Sequence, residues 1–156
     1  MLDGEVLQDA FVSRAKVAHP DQYSGAPANI QARARTHSSL LNEAHHVLKD
    51  PLRRATYLTR LAGFDLDGPG DSRGAPTPSQ AFLLEMMERR DAAESLDNDD
   101  EREALLDEVV SERGKVFQTA VSALDVGSPV EAAEALVVVR YLDRFVESLE
   151  GALDCR

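Results

Sequence analysis

Apolar residues recur along this chain at steps of three and four, with no stretch of strict alternation, and that spacing predicts helices throughout. From about Asp3 to Ala18 breakers are few, and Val6, Ala10, Phe11, Ala15 and Ala18 form one expected apolar set. A breaker-rich loop follows, His19-Pro20-Asp21-Gln22-Tyr23-Ser24-Gly25-Ala26-Pro27. A second helix is predicted over about Ala28 to Lys49, with Ile30, Ala34, His37, Leu41, Ala44 and Leu48 as its stripe. Asp50-Pro51 then supplies an N-cap and a proline at the first helical position. It launches a short helix with Leu52, Ala55, Leu58 and Leu61 on one face, stopped at Gly63.

Residues 63–78 hold four Gly and three Pro with almost no periodicity, and read as a linker. Three further helices are predicted beyond it. Thr77-Pro78-Ser79-Gln80 has the capping-box pattern and opens a helix through Phe82, Met86, Ala93 and Leu96. Asp97-Asn98-Asp99-Asp100 interrupts that helix and can cap the next, whose stripe is Leu106, Val109, Arg113, Val116, Ala120 and Leu124. Gly127 ends it. A second capping box, Ser128-Pro129-Val130-Glu131, leads into Ala132, Leu136, Val139, Leu142, Val146 and Leu149. Three amphipathic helices joined by short turns pack most simply as an antiparallel bundle. The expected architecture is therefore all-α: a helical hairpin with a short third helix over residues 1–62, a linker over 63–78 and a three-helix domain over 79–156.

Composition sharpens this picture. Hydrophobic residues make up 43% and charged residues 29%, which is a folded globular balance, while aromatics at 5% and no Trp suit a helical core of Leu, Val and Ala. No apolar run approaches the roughly 18 residues of a membrane span, and no signal peptide is visible. The single cysteine, Cys155, has no partner for a disulfide or a zinc site, so a reducing, cytoplasmic setting is expected. The net charge of −11 argues against general nucleic-acid binding. Its distribution is uneven: residues 1–62 carry eight Lys/Arg against six Asp/Glu, and residues 79–156 carry eight against nineteen. Two surfaces for two partners fit that asymmetry, as does a plain solvated acidic face.

Catalytic chemistry finds little support. There is no Ser/His/Asp order, no glycine-rich phosphate loop and no H-E-x-x-H, and His37 and His45 stand eight residues apart, about 12 Å along a helix. An enzyme is not expected, and neither a metal nor a cofactor is. The informative feature is His19-Pro20-Asp21 in the turn between two helices. Proline stiffens the turn, and a rigid tip carrying a carboxylate suits a charge-assisted bond to a partner's arginine. The plainer reading makes Asp21 an ordinary loop residue and His19 a cap on the preceding helix.

With its flanking helices the triplet resembles a J-domain, the module that engages a DnaK-class ATPase chaperone. Leu41-Asn42-Glu43-Ala44 and Pro51-Leu52-Arg53-Arg54-Ala55, running on to Tyr57-Leu58, resemble the HscB family, as does Leu61-Ala62-Gly63-Phe64-Asp65. Phe82-Leu83-Leu84-Glu85-Met86-Met87-Glu88-Arg89-Arg90 and Val139-Arg140-Tyr141-Leu142-Asp143-Arg144 extend the resemblance over almost the whole chain. The resemblance implies a co-chaperone of iron–sulfur cluster assembly that binds an IscU-type scaffold and stimulates a specialised, HscA-type DnaK-class chaperone. The alternative is a J-domain protein serving a general DnaK and another client. By the same resemblance the chaperone contacts fall on His19, Pro20 and Asp21, with Arg14 and Lys16 beside them. The scaffold contacts fall on Leu83, Leu84, Met87, Glu88, Asp91 and Tyr141.

The residues themselves allow two readings of that second surface. Leu83, Leu84, Met87 and Asp91 lie off the Phe82–Met86–Ala93 stripe, so they form either a docking patch or a wide stripe packed on two neighbours. Two departures from the family pattern stand out. The family's hairpin is preceded by a further short helix ahead of the match to Leu2-Asp3, so part of the hairpin's apolar face is expected to lie uncovered. Gln22 stands where a basic residue often follows the triplet.

Overall fold

The structure is a computed structural model that describes residues 2–66, 76–96 and 98–154. Every regular element among them is helical: α1 (Gly4–Ala18), a 3-10 turn (Pro20–Tyr23), α2 (Ala28–Lys49), α3 (Pro51–Leu61), α4 (Gln80–Glu94), α5 (Asp99–Asp125) and α6 (Pro129–Asp154). The chain divides into two units, Met1–Arg54 and Ala55–Arg156, so the division falls inside α3 and not at the glycine-rich stretch that begins at Gly63. Most of that stretch, residues 67–75, lies outside the described residues, as do Asp97 and Cys155.

The first unit is an α1–α2 hairpin. Asp3 caps α1, its carboxylate accepting from the amides of Glu5 at 2.9 Å and Val6 at 3.1 Å. Ala18 and Ala34 are the buried residues of this pair, and small side chains there let the helices approach closely. The seam runs through Leu7, Phe11, Ala15 and Ala18 on α1 and through Ile30, Ala34, Ser38, Leu41 and His45 on α2. It departs from the expected stripes: Val6, Ala10, His37 and Ala44 are exposed, as is Leu48. The Phe11 and His45 rings stack at 4.0 Å and 14°, which sets the phase of the two helices.

At the start of α3, Asp50 accepts from the amides of Leu52 at 2.8 Å and Arg53 at 3.1 Å, as the Asp-Pro signal predicts. In the second unit Ala55 and Thr59 are the buried residues of α3, whereas Leu58 and Leu61 face solvent, against the expected stripe. The helix ends on Gly63 (φ 97), with Gly63 N–H donating to Arg60 and Phe64 N–H to Thr59. The chain leaving α3 is then held to α6, where the Arg140 guanidinium donates to the Leu66 carbonyl.

Helices α4, α5 and α6 share one core, built from Met86, Ala93, Val109, Leu142, Phe145 and Leu149. Toward the α5–α6 turn that pair is sealed by Ala120, Ala123, Ala132, Ala133, Leu136 and Val139. Ser79, and not Thr77, caps α4, its hydroxyl accepting from Phe82 N–H at 3.2 Å, so Pro78 lies outside the helix. Asn98 caps α5 through Asp100 N–H at 3.0 Å. Arg113 is charged yet falls on the apolar stripe because it reaches Asp143 of α6 at 2.7 Å. Arg89 joins α4 to α5 through Glu112 at 2.7 Å, and that hydrogen bond raises the guanidinium pKa above its ordinary value. Arg102, nearly buried, donates to the Leu96 carbonyl and to Asp99, closing the α4–α5 turn.

Two glycines of this unit have opposite duties. Gly127, at φ 77 past the end of α5, lets its own N–H reach Leu124 and that of Ser128 reach Ala123. Gly114 sits inside α5, and a Cβ there would meet nothing within 4 Å. Gly127→Ala is expected to destabilise by about 1–2 kcal/mol through left-handed strain, and Gly114→Ala to stabilise by up to about 1 kcal/mol. Urea unfolding of the two variants checks this; equal signs would contradict it.

Candidate functional site

The first candidate site is the turn that follows α1. His19 is the N-cap of the 3-10 turn, whose backbone is closed by Gln22 N–H to His19 carbonyl at 3.1 Å and Ser24 N–H to Asp21 carbonyl at 3.3 Å. Tyr23 ties the turn back to α1 by donating its hydroxyl to the Val17 carbonyl at 3.1 Å. Gln31 of α2 braces the far side, its amide donating to the carbonyls of Ser24 at 3.1 Å and Ala26 at 2.9 Å. The loop is thus held by backbone atoms, by Tyr23 and Gln31 and by the His19 ring that caps the turn, none of which uses the Asp21 carboxylate.

Those two side chains are 58% and 90% exposed. His19 Nδ1 lies 3.4 Å from the Asp21 amide and 3.6 Å from Asp21 Oδ2. A neutral ring accepts from the amide, and a protonated ring donates to the carboxylate instead; one nitrogen cannot do both. Either way the Asp21 carboxylate keeps lone pairs directed at solvent.

Two shallow grooves flank α1 beside this turn, and they separate the basic residues that the sequence groups together. Lys16 joins His19, Asp21 and Gln22 around a groove floored by Phe11, Val12 and Ala15. Arg14 instead lines a second groove, with Ser13, Val17, Tyr23 and His37. Two residues along a helix is roughly 200° of rotation, which places the two cations on different sides. Phe11 and Ala15, members of the predicted apolar stripe of α1, also floor the groove, and the four-residue steps from Phe11 through Ala15 to His19 put all three on one face.

The second candidate site lies on α4. Leu84 and Met87 are 56% and 62% exposed, and Glu88 and Asp91 are exposed with them. Positions 84, 87, 88 and 91 share one face by helical spacing, giving an apolar patch edged by carboxylates. Leu83 is half-buried, so it differs from the other two apolar members of the expected set. Tyr141 of α6 is also half-buried, and the Phe82 ring meets it edge to face at 5.7 Å and 86°. Arg144 lies over the other ring at 6.0 Å from its centroid.

Among the described residues no group of His, Cys, Asp and Glu is placed to hold a metal ion, and no helix is long and apolar enough to cross a membrane. The described residues present two exposed surfaces, the turn after α1 and the outer face of α4. A "Co-chaperone protein HscB homolog" of Burkholderia thailandensis is 35% identical over 146 residues, covering 92% of this chain and 81% of that protein. The chain belongs to the HscB family. An HscB homolog of Paraburkholderia xenovorans is 31% identical over 151 residues, covering 95% of this chain and 84% of that one. The HSCB C-terminal oligomerisation domain family matches residues 78–150, which take in α4, α5 and most of α6. Among solved structures, chaperone HscB from Vibrio cholerae superposes with a TM-score of 0.80 at 26% identity, covering 99% of this chain and 90% of that chain. The human co-chaperone HscB shares the fold, with a TM-score of 0.80 at 24% identity, over 96% of this chain and 74% of that one. The all-α reading, with a J-domain hairpin and a C-terminal helical bundle as in HscB, therefore holds.

Proposed function

We propose that this HscB-family chain delivers an IscU-type iron–sulfur scaffold protein to a DnaK-class chaperone of the HscA type and stimulates that chaperone's ATPase, acting in the cytoplasm. The observation that carries the reading is the Asp21 carboxylate, 90% exposed on a turn that other atoms hold in shape. A carboxylate fixed this way meets a partner's guanidinium with little ordering cost, and charge-assisted bonds of that kind are the strong ones. His19 and Pro20 set the carboxylate's position, and Lys16 lies at the same groove. Arg14 faces the neighbouring groove and would meet a separate part of the chaperone.

The α4 face supports the second half of the reading. Leu84 and Met87 supply apolar area, and Glu88 and Asp91 favour a partner surface with positive charge. No cluster-binding role is assigned to the chain; the iron stays with the scaffold. Single-turnover ATP hydrolysis tests the whole reading, using the dedicated chaperone and a general DnaK in parallel, each with and without scaffold. Stimulation of the dedicated chaperone is expected to rise further when scaffold is added. Stimulation of the general chaperone alone, indifferent to scaffold, would favour the reading in which another client is served.

A further inference from the structure

Two adjacent methionines on α4 have opposite surroundings. Met86 belongs to the core shared with α5 and α6 and is 4% exposed, whereas Met87 is 62% exposed on the outer face. A thioether is oxidised where a peroxide can reach its sulfur, so one reagent meets the second side chain and is kept from the first. Met87 also stands at the middle of its face, with Leu84 one turn before it, Asp91 one turn after it and Glu88 beside it. The cations of this stretch are directed elsewhere. Arg89 pairs with Glu85 and Glu112, and Arg90 lines a separate groove toward α6 with Glu94 and Ser148.

We propose that Met87 is a reversible redox switch on scaffold docking: its thioether packs against the scaffold, and its sulfoxide releases it. The inference rests on the reading of α4 as the scaffold surface and adds the regulation of that surface. The reaction balances with hydrogen peroxide as the oxidant. The sulfur lone pair attacks one peroxide oxygen, and the O–O bond breaks as the S–O bond forms. The other oxygen leaves as water after taking the proton of the first. Sulfur loses two electrons and the peroxide gains them. The reverse step draws two electrons from a dithiol through a methionine sulfoxide reductase, and the oxygen departs as water. Oxidation spares the fold, because the Met87 side chain lies outside the core. It changes the face instead: a flexible apolar side chain acquires a hydrogen-bond acceptor. In the free chain, water satisfies that oxygen. Docking strips the water away, and the face offers nothing in return, since Leu84 has no polar group and the carboxylates of Glu88 and Asp91 are themselves acceptors.

The test is peroxide treatment of the full chain, peptide mass spectrometry, and calorimetric titration with purified IscU-type scaffold protein once the peroxide is removed. Met87 is expected to gain one oxygen well before Met86, the melting temperature to stay unchanged, and scaffold affinity to fall at least roughly tenfold. Methionine sulfoxide reductase with a dithiol should return the affinity to its starting value. Met87→Leu, compared only with its own untreated form, should be indifferent to peroxide. It keeps Met1, Met86 and Cys155, so a loss caused by oxidation at any of these would persist in it. Undiminished binding by the chain oxidised at Met87, while Leu84→Ala binds weakly, overturns the switch and leaves the scaffold reading standing. Undiminished binding by the oxidised chain, Leu84→Ala and Met87→Ala alike overturns both. An equal peroxide loss in Met87→Leu, equal oxidation of Met86 or a lowered melting temperature assigns the effect elsewhere and overturns the switch, as does a loss that the reductase cannot reverse.

Discussion

Asp21→Asn is expected to return the partner's ATP hydrolysis to its unstimulated rate while the fold and scaffold binding are unchanged. The amide has the shape of the carboxylate without its charge, so what is lost is the charge-assisted part of one hydrogen bond to the chaperone. Hydrogen bonds to charged groups contribute about 1.5–3 kcal/mol, and at about 1.4 kcal/mol per decade that is a loss of at least roughly tenfold in productive engagement. The turn should survive, because its backbone is closed by bonds from Gln22 and Ser24 and tied to α1 by Tyr23, none of which uses the Asp21 carboxylate. Single-turnover hydrolysis with saturating scaffold measures the effect, and unchanged helicity and melting temperature verify the fold. Wild-type stimulation by the variant would show that the exposed carboxylate is not the contact.

The second large effect is expected on the α4 face. Leu84→Ala with Met87→Ala should lower scaffold affinity at least roughly tenfold, since central apolar anchors at an interface contribute on the order of 1–2 kcal/mol each. Both side chains are more than half exposed, so truncation leaves no cavity and the melting temperature should hardly move. Leu83→Ala is the informative comparison. It is half-buried, so it should lower the melting temperature as well as the affinity. Calorimetric titration and thermal unfolding on the same preparations separate the cases. Intact binding by the double variant rejects the docking face, and lost binding with a collapsed melting temperature would make these residues part of the core after all.

How far the candidate sites could be read beforehand depends on how local they are. His19, Pro20 and Asp21 are contiguous, the breakers after them force a loop, and the helices on either side are strongly periodic, so an exposed tip was readable from composition and order. The grooves flanking α1 were not, because they depend on which face of α1 meets α2. Arg14 and Lys16 look like one basic patch in the sequence and lie at different grooves in the fold. The packing of residues 76–82 against residues 134–138 was equally invisible, a pairing no local pattern encodes.

The sequence alone determined helix number and approximate bounds, the Asp50 cap, the glycine stops at Gly63 and Gly127, the turn carrying His19–Asp21 and the family resemblance. Each is set by neighbours a few residues apart, through backbone sterics, capping and the 3.6-residue period. Tertiary structure alone decided which apolar residues are covered. Val6, Leu58 and Leu61 fit their predicted stripes and stand exposed, whereas Ser38 and His45 line the hairpin seam and Thr59 is fully buried. Periodicity states which residues share a face of a helix, but burial needs a second surface at the right distance, and small residues such as Ala18, Ala34 and Ala55 choose where that contact is closest. The same physics placed Arg113 on an apolar stripe, because Asp143 on the facing helix supplies at 2.7 Å the partner that no pattern within α5 could reveal.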